Sequence, residues 1–419
     1  MIKAVILIGG PMKGTRFRPL SLELPKPLFP IGGFPVVYHH IEACKKIPDL
    51  KEIILIGFYQ SSESLSKFIA DAQQEFNIPI RYLQEFQPLG TAGGLYHFRD
   101  QISMGNPEAF VVLNADIMGD YPLREFVEFH KEHLGEHSIL ATEANRRQAH
   151  NFGSLVEDIN THKVLHYVEK PETFVSEVIN CGIYIFSPTA LFKLMGEILQ
   201  ENYHKMSEEP FNTNAESIRM GEDVLANLAS LGTLNAFKTR NFWTSIKSAG
   251  SAIYANRNVL SLYNKTHPEL LAQNGVNQPH IIGDVYIHPS AVVHPTAVLG
   301  PNVSVGSNVL IGPGARVRET ILLDGAELKD HCCILYSIIG WNCSIGVWSR
   351  VEGSRCDPNP NEEFAKPDGE SLFGNNGKLT PSITILGRNV TIPGELIVLN
   401  SIVLPHKDLN QSYKNEIIL

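Results

Sequence analysis

The sequence predicts two domains: an N-terminal α/β domain built on a mainly parallel sheet, then a left-handed parallel β-helix of hexapeptide repeats. Three observations lead there. Apolar runs of strand length alternate with helical patterns through the first part of the chain. A glycine-rich loop, Gly9-Gly10-Pro11-Met12-Lys13-Gly14-Thr15-Arg16, follows the first of those runs directly. Farther on, aliphatic residues recur every six positions from Ile287 to Leu323.

The elements follow in order. Residues 4–8 read as a buried first strand, 36–46 as a helix, 52–57 as a strand, 63–76 as a helix, 80–83 as a short strand and 109–114 as a further buried strand. Such alternation builds a parallel sheet with helices on its faces, and ligands of such sheets lie at the carboxyl ends of the strands. That edge carries the glycine loop and Asn114-Ala115-Asp116. Backbone N–H groups of Gly9, Gly10 and Gly14 suit phosphate oxygens, with Arg16 as a planar fork and Lys26, in Pro25-Lys26-Pro27, as a compact charge. No Gly-Lys-Ser/Thr closes the loop, which excludes the Walker pattern. Leu89-Gly90-Thr91-Ala92-Gly93 precedes a helical pattern at 95–101. Its small residues let a nucleobase lie against the backbone, although alone it is also an ordinary glycine turn. Asp116 at a strand end is either a cap or a magnesium ligand. Glu169 suits sugar hydroxyls and Lys170 a sugar phosphate, while each alone, like Asn180, also reads as a surface residue.

A helix at 249–263 leaves this domain, giving boundaries of 1–265, a linker at 266–280 and a second domain at 281–419. Ile287, Val293, Leu299, Val305, Ile311, Val317 and Leu323 keep a strict register of six. That period means coils of a parallel β-helix that bury one another's aliphatic residues. The phase breaks, resumes at Ile339, Ile345 and Val351, breaks again, and returns at Leu386, Ile392, Val398 and Leu404. The second break is a polar insertion at about 355–381, either functional or disordered.

Composition narrows the function. The 419 residues are 43% hydrophobic and 19% charged, with a net charge of -9 and no long single-sign block, so no nucleic-acid surface is expected. No run is long and apolar enough for a membrane span, and the six cysteines lack Cys-x-x-Cys spacing, which points to a reduced cytoplasmic protein.

Together these stretches resemble the signature of the sugar-nucleotide pyrophosphorylases, Gly-Gly-x-Gly-Thr-Arg-x-x-Pro-Leu-Thr followed by Pro-Lys-Pro. The likeness runs the whole chain and is greatest to the GDP-mannose pyrophosphorylases, nearer their alpha regulatory than their catalytic beta subunits. It implies a Rossmann-like (GT-A-like) nucleotidyltransferase domain before the β-helix. It implies a base site at Leu89, Gly90, Thr91, Ala92 and Gly93, a sugar and phosphate pocket lined by Glu169, Lys170 and Asn180, and catalytic positions at Arg16 and Lys26. Magnesium would be held by Asp116. Two departures stand out. Pro11, Met12 and Lys13 replace a single residue of the family pattern, and Ser245 occupies the place of the second metal carboxylate in Phe-Trp-x-Asp-Ile. A serine hydroxyl is a poor ligand for a hard cation. The expectation is a regulatory subunit that binds GDP-mannose, with a catalytic beta subunit as partner and hetero- and homo-oligomers. The alternative is an active guanylyltransferase using GTP and mannose-1-phosphate. The insertion, with Asp357, Pro358, Asn359 and Phe373, is expected to form a regulatory loop that contacts the partner.

Overall fold

The computed structural model describes residues 1–10, 17–22, 24–133, 136–208, 216–359, 361–367, 372–374, 377 and 379–419, with the side chains of 205–208 excepted. Gly14 and Arg16, together with Pro11, Met12 and Lys13, lie outside the described residues. The chain forms two compact units. The first comprises Met1–Lys13, Val37–Trp243 and Asn359–Lys366; the second comprises Gly14–Val36, Thr244–Pro358 and Pro367–Leu419. These units are discontinuous, unlike the boundaries read from the sequence.

In the first unit, β1 (Ile2–Gly9), β2 (Leu50–Gly57), β3 (Ile80–Gln84) and β4 (Ala109–Asn114) run parallel in the order β4-β1-β2-β3. Their continuous apolar runs follow from burial on both faces: Ala4, Val5, Ile6, Ile54 and Val112 are all fully buried. The sheet continues through β5 (His137–Glu143), β6 (Ser154–Glu157), β7 (Val164–Val168), β8 (Val178–Phe186) and β9 (Leu234–Lys238). Strand β8 is antiparallel to both β4 and β5, so the sheet is mixed beyond its parallel half. The helix at Glu63–Phe76 is capped by Ser62, which accepts from Leu65 N at 3.3 Å, and ends on Asn77 at φ 51°. The single helix expected at 95–101 is instead two short ones, Gly93–His97 and Arg99–Ser103, divided at Phe98. Phe98 departs from helical geometry and packs into the core with Ile102 and Phe110.

The second unit contains the β-helix. Among the described residues every strand pair of the β-helix is parallel, and strands separated by 18 residues stack, as in Val285 on Val303 and Val292 on Leu310. Leu299, Val305, Ile311, Val317, Ile339, Ile345, Val351, Leu386, Ile392 and Val398 all enter one buried cluster, as their spacing predicts. The first phase break has a local cause. Val298 stacks on Arg316 after 18 residues, but Val303 stacks on Thr320 after 17. One corner has lost a residue and is closed by Glu319 at φ 49°. The second break is the insertion, because Cys333 pairs Arg350 but Ser337 pairs Thr384. At the last coil Val403 takes the core position and Leu404 is only partly buried. The helix Ala249–Thr266 belongs with this unit. Its Asn256 Oδ1 accepts from Gly32 N at 2.8 Å and from the Ser304 hydroxyl at 2.6 Å. Arg257 on the same helix pairs with Glu319 at 3.1 Å and with Asp357, at the start of the insertion, at 2.9 Å. Among the described residues no helix is long and apolar enough to cross a membrane.

Candidate functional site

The parallel half of the sheet sets the candidate phosphate edge. Leu7 pairs Asn114, and Ala115 N donates to Leu7 O at 3.0 Å, so the end of β1 and the end of β4 come level. Gly9 (φ 70°) and Gly10 therefore sit on the same edge as exposed Asp116. A Cβ on Gly10 would come within 2.7 Å of Phe58 Cβ, which is why the chain is bare there. Asp116 acts electrostatically on Tyr121 and Tyr184, and burial together with that charge pushes both phenols up.

The candidate base loop is tied to residues 218–220. Ile218 N donates to Leu89 O at 2.9 Å, Ala92 N to Ile218 O at 2.9 Å, and Met220 N to Thr91 Oγ1 at 2.7 Å. Leu89, Ala92 and Gly93 are buried, while Thr91 is exposed. Backbone on both sides is thereby satisfied, leaving a fixed surface of small residues.

The candidate sugar-side residues form one network. Asn180 Oδ1 accepts from Gly182 N at 2.7 Å. Its Nδ2 donates to Tyr167 Oη at 3.1 Å and to Tyr184 Oη at 2.9 Å. Tyr167 Oη donates onward to Glu169 Oε2 at 2.7 Å. Burial first, then the neighbouring Tyr184 and Glu169, hold the Tyr167 phenol well above its usual range, so it stays a donor. A connected chain of this kind fixes the direction in which Glu169 presents its carboxylate. Lys170, at φ 44°, pairs with Glu169 at 3.8 Å and is largely exposed. The sequence did not single out Tyr167 or Tyr184 as site residues, although Tyr184 follows Asn180 by four positions. Trp243 closes this side: its Nε1 donates to Cys181 O at 2.9 Å and its ring meets Phe152 edge-on at 5.7 Å.

Glycine-loop end, Asp116, base loop, Glu169, Lys170 and Asn180 thus all belong to the first unit. Lys26 and Ser245 belong to the second, where Lys26 Nζ stands 5.8 Å from the Phe17 ring centroid. In the insertion, Asp357 is paired with Arg257 and Arg355, Asn359 Nδ2 donates to Glu362 at 3.2 Å, and half-exposed Phe373 bridges Leu379. Pro358 ends the stretch that packs with the second unit. Among the described residues no group of three or more His, Cys, Asp or Glu side chains could hold a metal. A lone exposed carboxylate suits an ion that arrives on a nucleotide's phosphates and does not suit a resident one.

The nucleotidyl transferase family matches residues 3–240, and the family described as the GMPPB C-terminal domain matches 281–418. The zebrafish mannose-1-phosphate guanylyltransferase regulatory subunit alpha-A is 61% identical over 424 residues, covering 100% of both chains. The chain belongs to this alpha-subunit family. Its human counterpart, named mannose-1-phosphate guanylyltransferase regulatory subunit alpha, is 57% identical over 422 residues and again covers 100% of both. The Xenopus laevis mannose-1-phosphate guanyltransferase alpha-A is 59% identical over 423 residues, with 100% of both covered. A Bacillus anthracis protein described as a glucose-1-phosphate thymidylyltransferase shares the fold at a TM-score of 0.51 and 22% identity, covering 61% of this chain and 94% of that one.

Proposed function

We propose that this chain is the regulatory subunit of a cytoplasmic mannose-1-phosphate guanylyltransferase complex. It binds GDP-mannose in its own pocket and passes that state to the catalytic beta subunit as feedback inhibition. The observation that carries this reading is the intact Asn180–Tyr167–Glu169 network in a chain whose phosphate loop is expanded and whose second metal carboxylate is Ser245. A sugar nucleotide diphosphate needs the base and sugar contacts, whereas turnover of GTP also needs its leaving pyrophosphate neutralised. The six thiols are unpaired, in keeping with a reducing compartment. The insertion, with Asp357, Pro358, Asn359 and Phe373, would meet the partner. Hetero-oligomers and homo-oligomers both fit a β-helix whose coils leave Val292, Leu310 and Trp348 exposed.

The test is a guanylyltransferase assay on the complex with its catalytic partner. Added GDP-mannose is expected to slow the partner, and Asn180→Leu in this chain is expected to remove most of that effect, because the amide that links Gly182, Tyr167 and Tyr184 is gone. Feedback of unchanged strength in the variant complex would overturn the reading. Inhibition must be reciprocal, so partner binding also alters the affinity for GDP-mannose.

Magnesium, where it enters, would come with the phosphates and meet Asp116, supplying charge neutralisation. Asp116→Asn is therefore expected to weaken any magnesium dependence of GTP and GDP-mannose binding, read by titrations with and without the ion. An unchanged dependence would make Asp116 a turn residue only.

A further inference from the structure

Part of the insertion packs on the nucleotidyltransferase unit of its own chain. Asn359–Lys366 groups with the first unit. Glu362 Oε2 accepts from Asn145 Nδ2 at 2.8 Å, and Arg147 pairs with the same carboxylate at 3.4 Å. Phe364 O accepts from Asn145 N at 3.3 Å. Gln148 then holds Lys366 from both sides: Lys366 N donates to Gln148 Oε1 at 2.8 Å, and Gln148 Nε2 donates to Lys366 O at 2.7 Å. A side-chain amide that satisfies both backbone groups of one residue fixes the position of that residue.

The position so fixed is beside the sugar-side network. Lys366 Nζ lies 5.5 Å from the centroid of the Trp243 ring, the indole whose N–H is bonded to Cys181 O. Cys181 follows Asn180 directly. The side chain is half-buried, and the groups that act on its charge are Cys181 and Glu143. Among the described residues the ammonium has a ring face and no carboxylate against it. Burial accordingly draws the Lys366 amine below its usual range, with Cys181 and Glu143 opposing. A half-buried ammonium over an aromatic ring, acted on by the Glu143 carboxylate but with no ion pair to it among the described residues, keeps hydrogen bonds to give to an anion.

We propose that Lys366 is a further ligand-binding residue of the pocket, delivered by the insertion, and that it meets the phosphate of a bound sugar nucleotide. Occupancy of the pocket and docking of the insertion are then coupled, because each strengthens the other. This rests on the GDP-mannose reading above, and gives that reading a route from the pocket to the loop expected to meet the partner.

Two measurements on the full chain test it. The first is calorimetric titration with GDP-mannose. Lys366→Met keeps the stem over Trp243 and removes the charge, and is expected to weaken binding by about tenfold or more, as loss of a charge-assisted contact does; Lys366→Arg is expected to recover part of the loss. The second is amide exchange of residues 361–367, expected to slow when GDP-mannose is added and to quicken in Gln148→Leu. Wild-type affinity in Lys366→Met, or exchange in that segment indifferent to ligand, would overturn the proposal while leaving GDP-mannose binding intact. Failure of the wild-type chain to bind GDP-mannose would instead sink the underlying reading, and exchange in Gln148→Leu would still report whether the segment docks.

Discussion

Purified chain given GTP, mannose-1-phosphate and magnesium is expected to release pyrophosphate at about a thousandth, or less, of the ~10 s⁻¹ common to working enzymes. Transfer of a nucleotidyl group asks the protein to hold the attacking and leaving oxygens in line and to neutralise charge on the departing pyrophosphate. Two changes fall on that second task. Pro11, Met12 and Lys13 lengthen the loop that would cradle the phosphates, and Ser245 stands where the resemblance to the pyrophosphorylase pattern implies a carboxylate for magnesium. Removing one such electrostatic contact commonly costs about a hundredfold to a thousandfold in rate. A variant with the loop shortened and Ser245→Asp is expected to regain part of the lost rate. Pyrophosphate release by the unaltered chain at enzyme-like speed, read in a coupled assay free of the beta subunit, would restore the catalytic reading.

The base loop supplies the second large effect. Gly90 has φ 86°, and an added Cβ would lie 2.4 Å from Ile218 O and 2.7 Å from Ser217 Oγ. The backbone oxygen cannot step aside, because Ile218 O already accepts from Ala92 N and Ile218 N donates to Leu89 O. Gly90→Ala must therefore strain or open the loop. It is expected to lower stability by about 2–4 kcal/mol and to weaken guanine-nucleotide binding more than tenfold. Gly232→Ala is the control: φ is 68° there, but nothing lies within 4 Å of the added carbon, so only the ~1–2 kcal/mol of left-handed backbone is expected. Urea unfolding of both variants, with GDP-mannose titration of each, makes the comparison. Equal losses in the two would mean that the Ile218 contact does not constrain the loop.

Much of the fold was legible because it rests on periodicity. Ala4 to Ile6 is apolar without alternation and is buried on both faces. Aliphatic residues six apart became the β-helix core, since coils of 18 residues bring each onto the one below. Periodicity also shows where legibility ends. The corner at Glu319 shifts the phase by one residue, and nothing in the local sequence announces that a left-handed non-glycine residue closes it. The antiparallel course of β8 was likewise hidden, because a fully buried strand reads the same in either direction.

Candidate site residues could be named from the sequence where a short contiguous motif carried them. Leu89 to Gly93 and Asn180 are such cases, and both lie in well-tied backbone. What escaped depends on contacts between distant segments. Tyr167 reaches Asn180 across β7 and β8, and Gln148 reaches Lys366 over a sequence separation of 218. A lysine within a polar insertion carries no pattern of its own; only the fold shows Trp243 beneath it.

The central claim is that the pocket binds the product of the reaction rather than making it. Isothermal titration of the full chain alone with GDP-mannose tests this most directly. Saturable binding at one site per chain, diminished in Asn180→Leu, is the expected result. A flat titration up to millimolar GDP-mannose, with the chain shown to be folded, would contradict it.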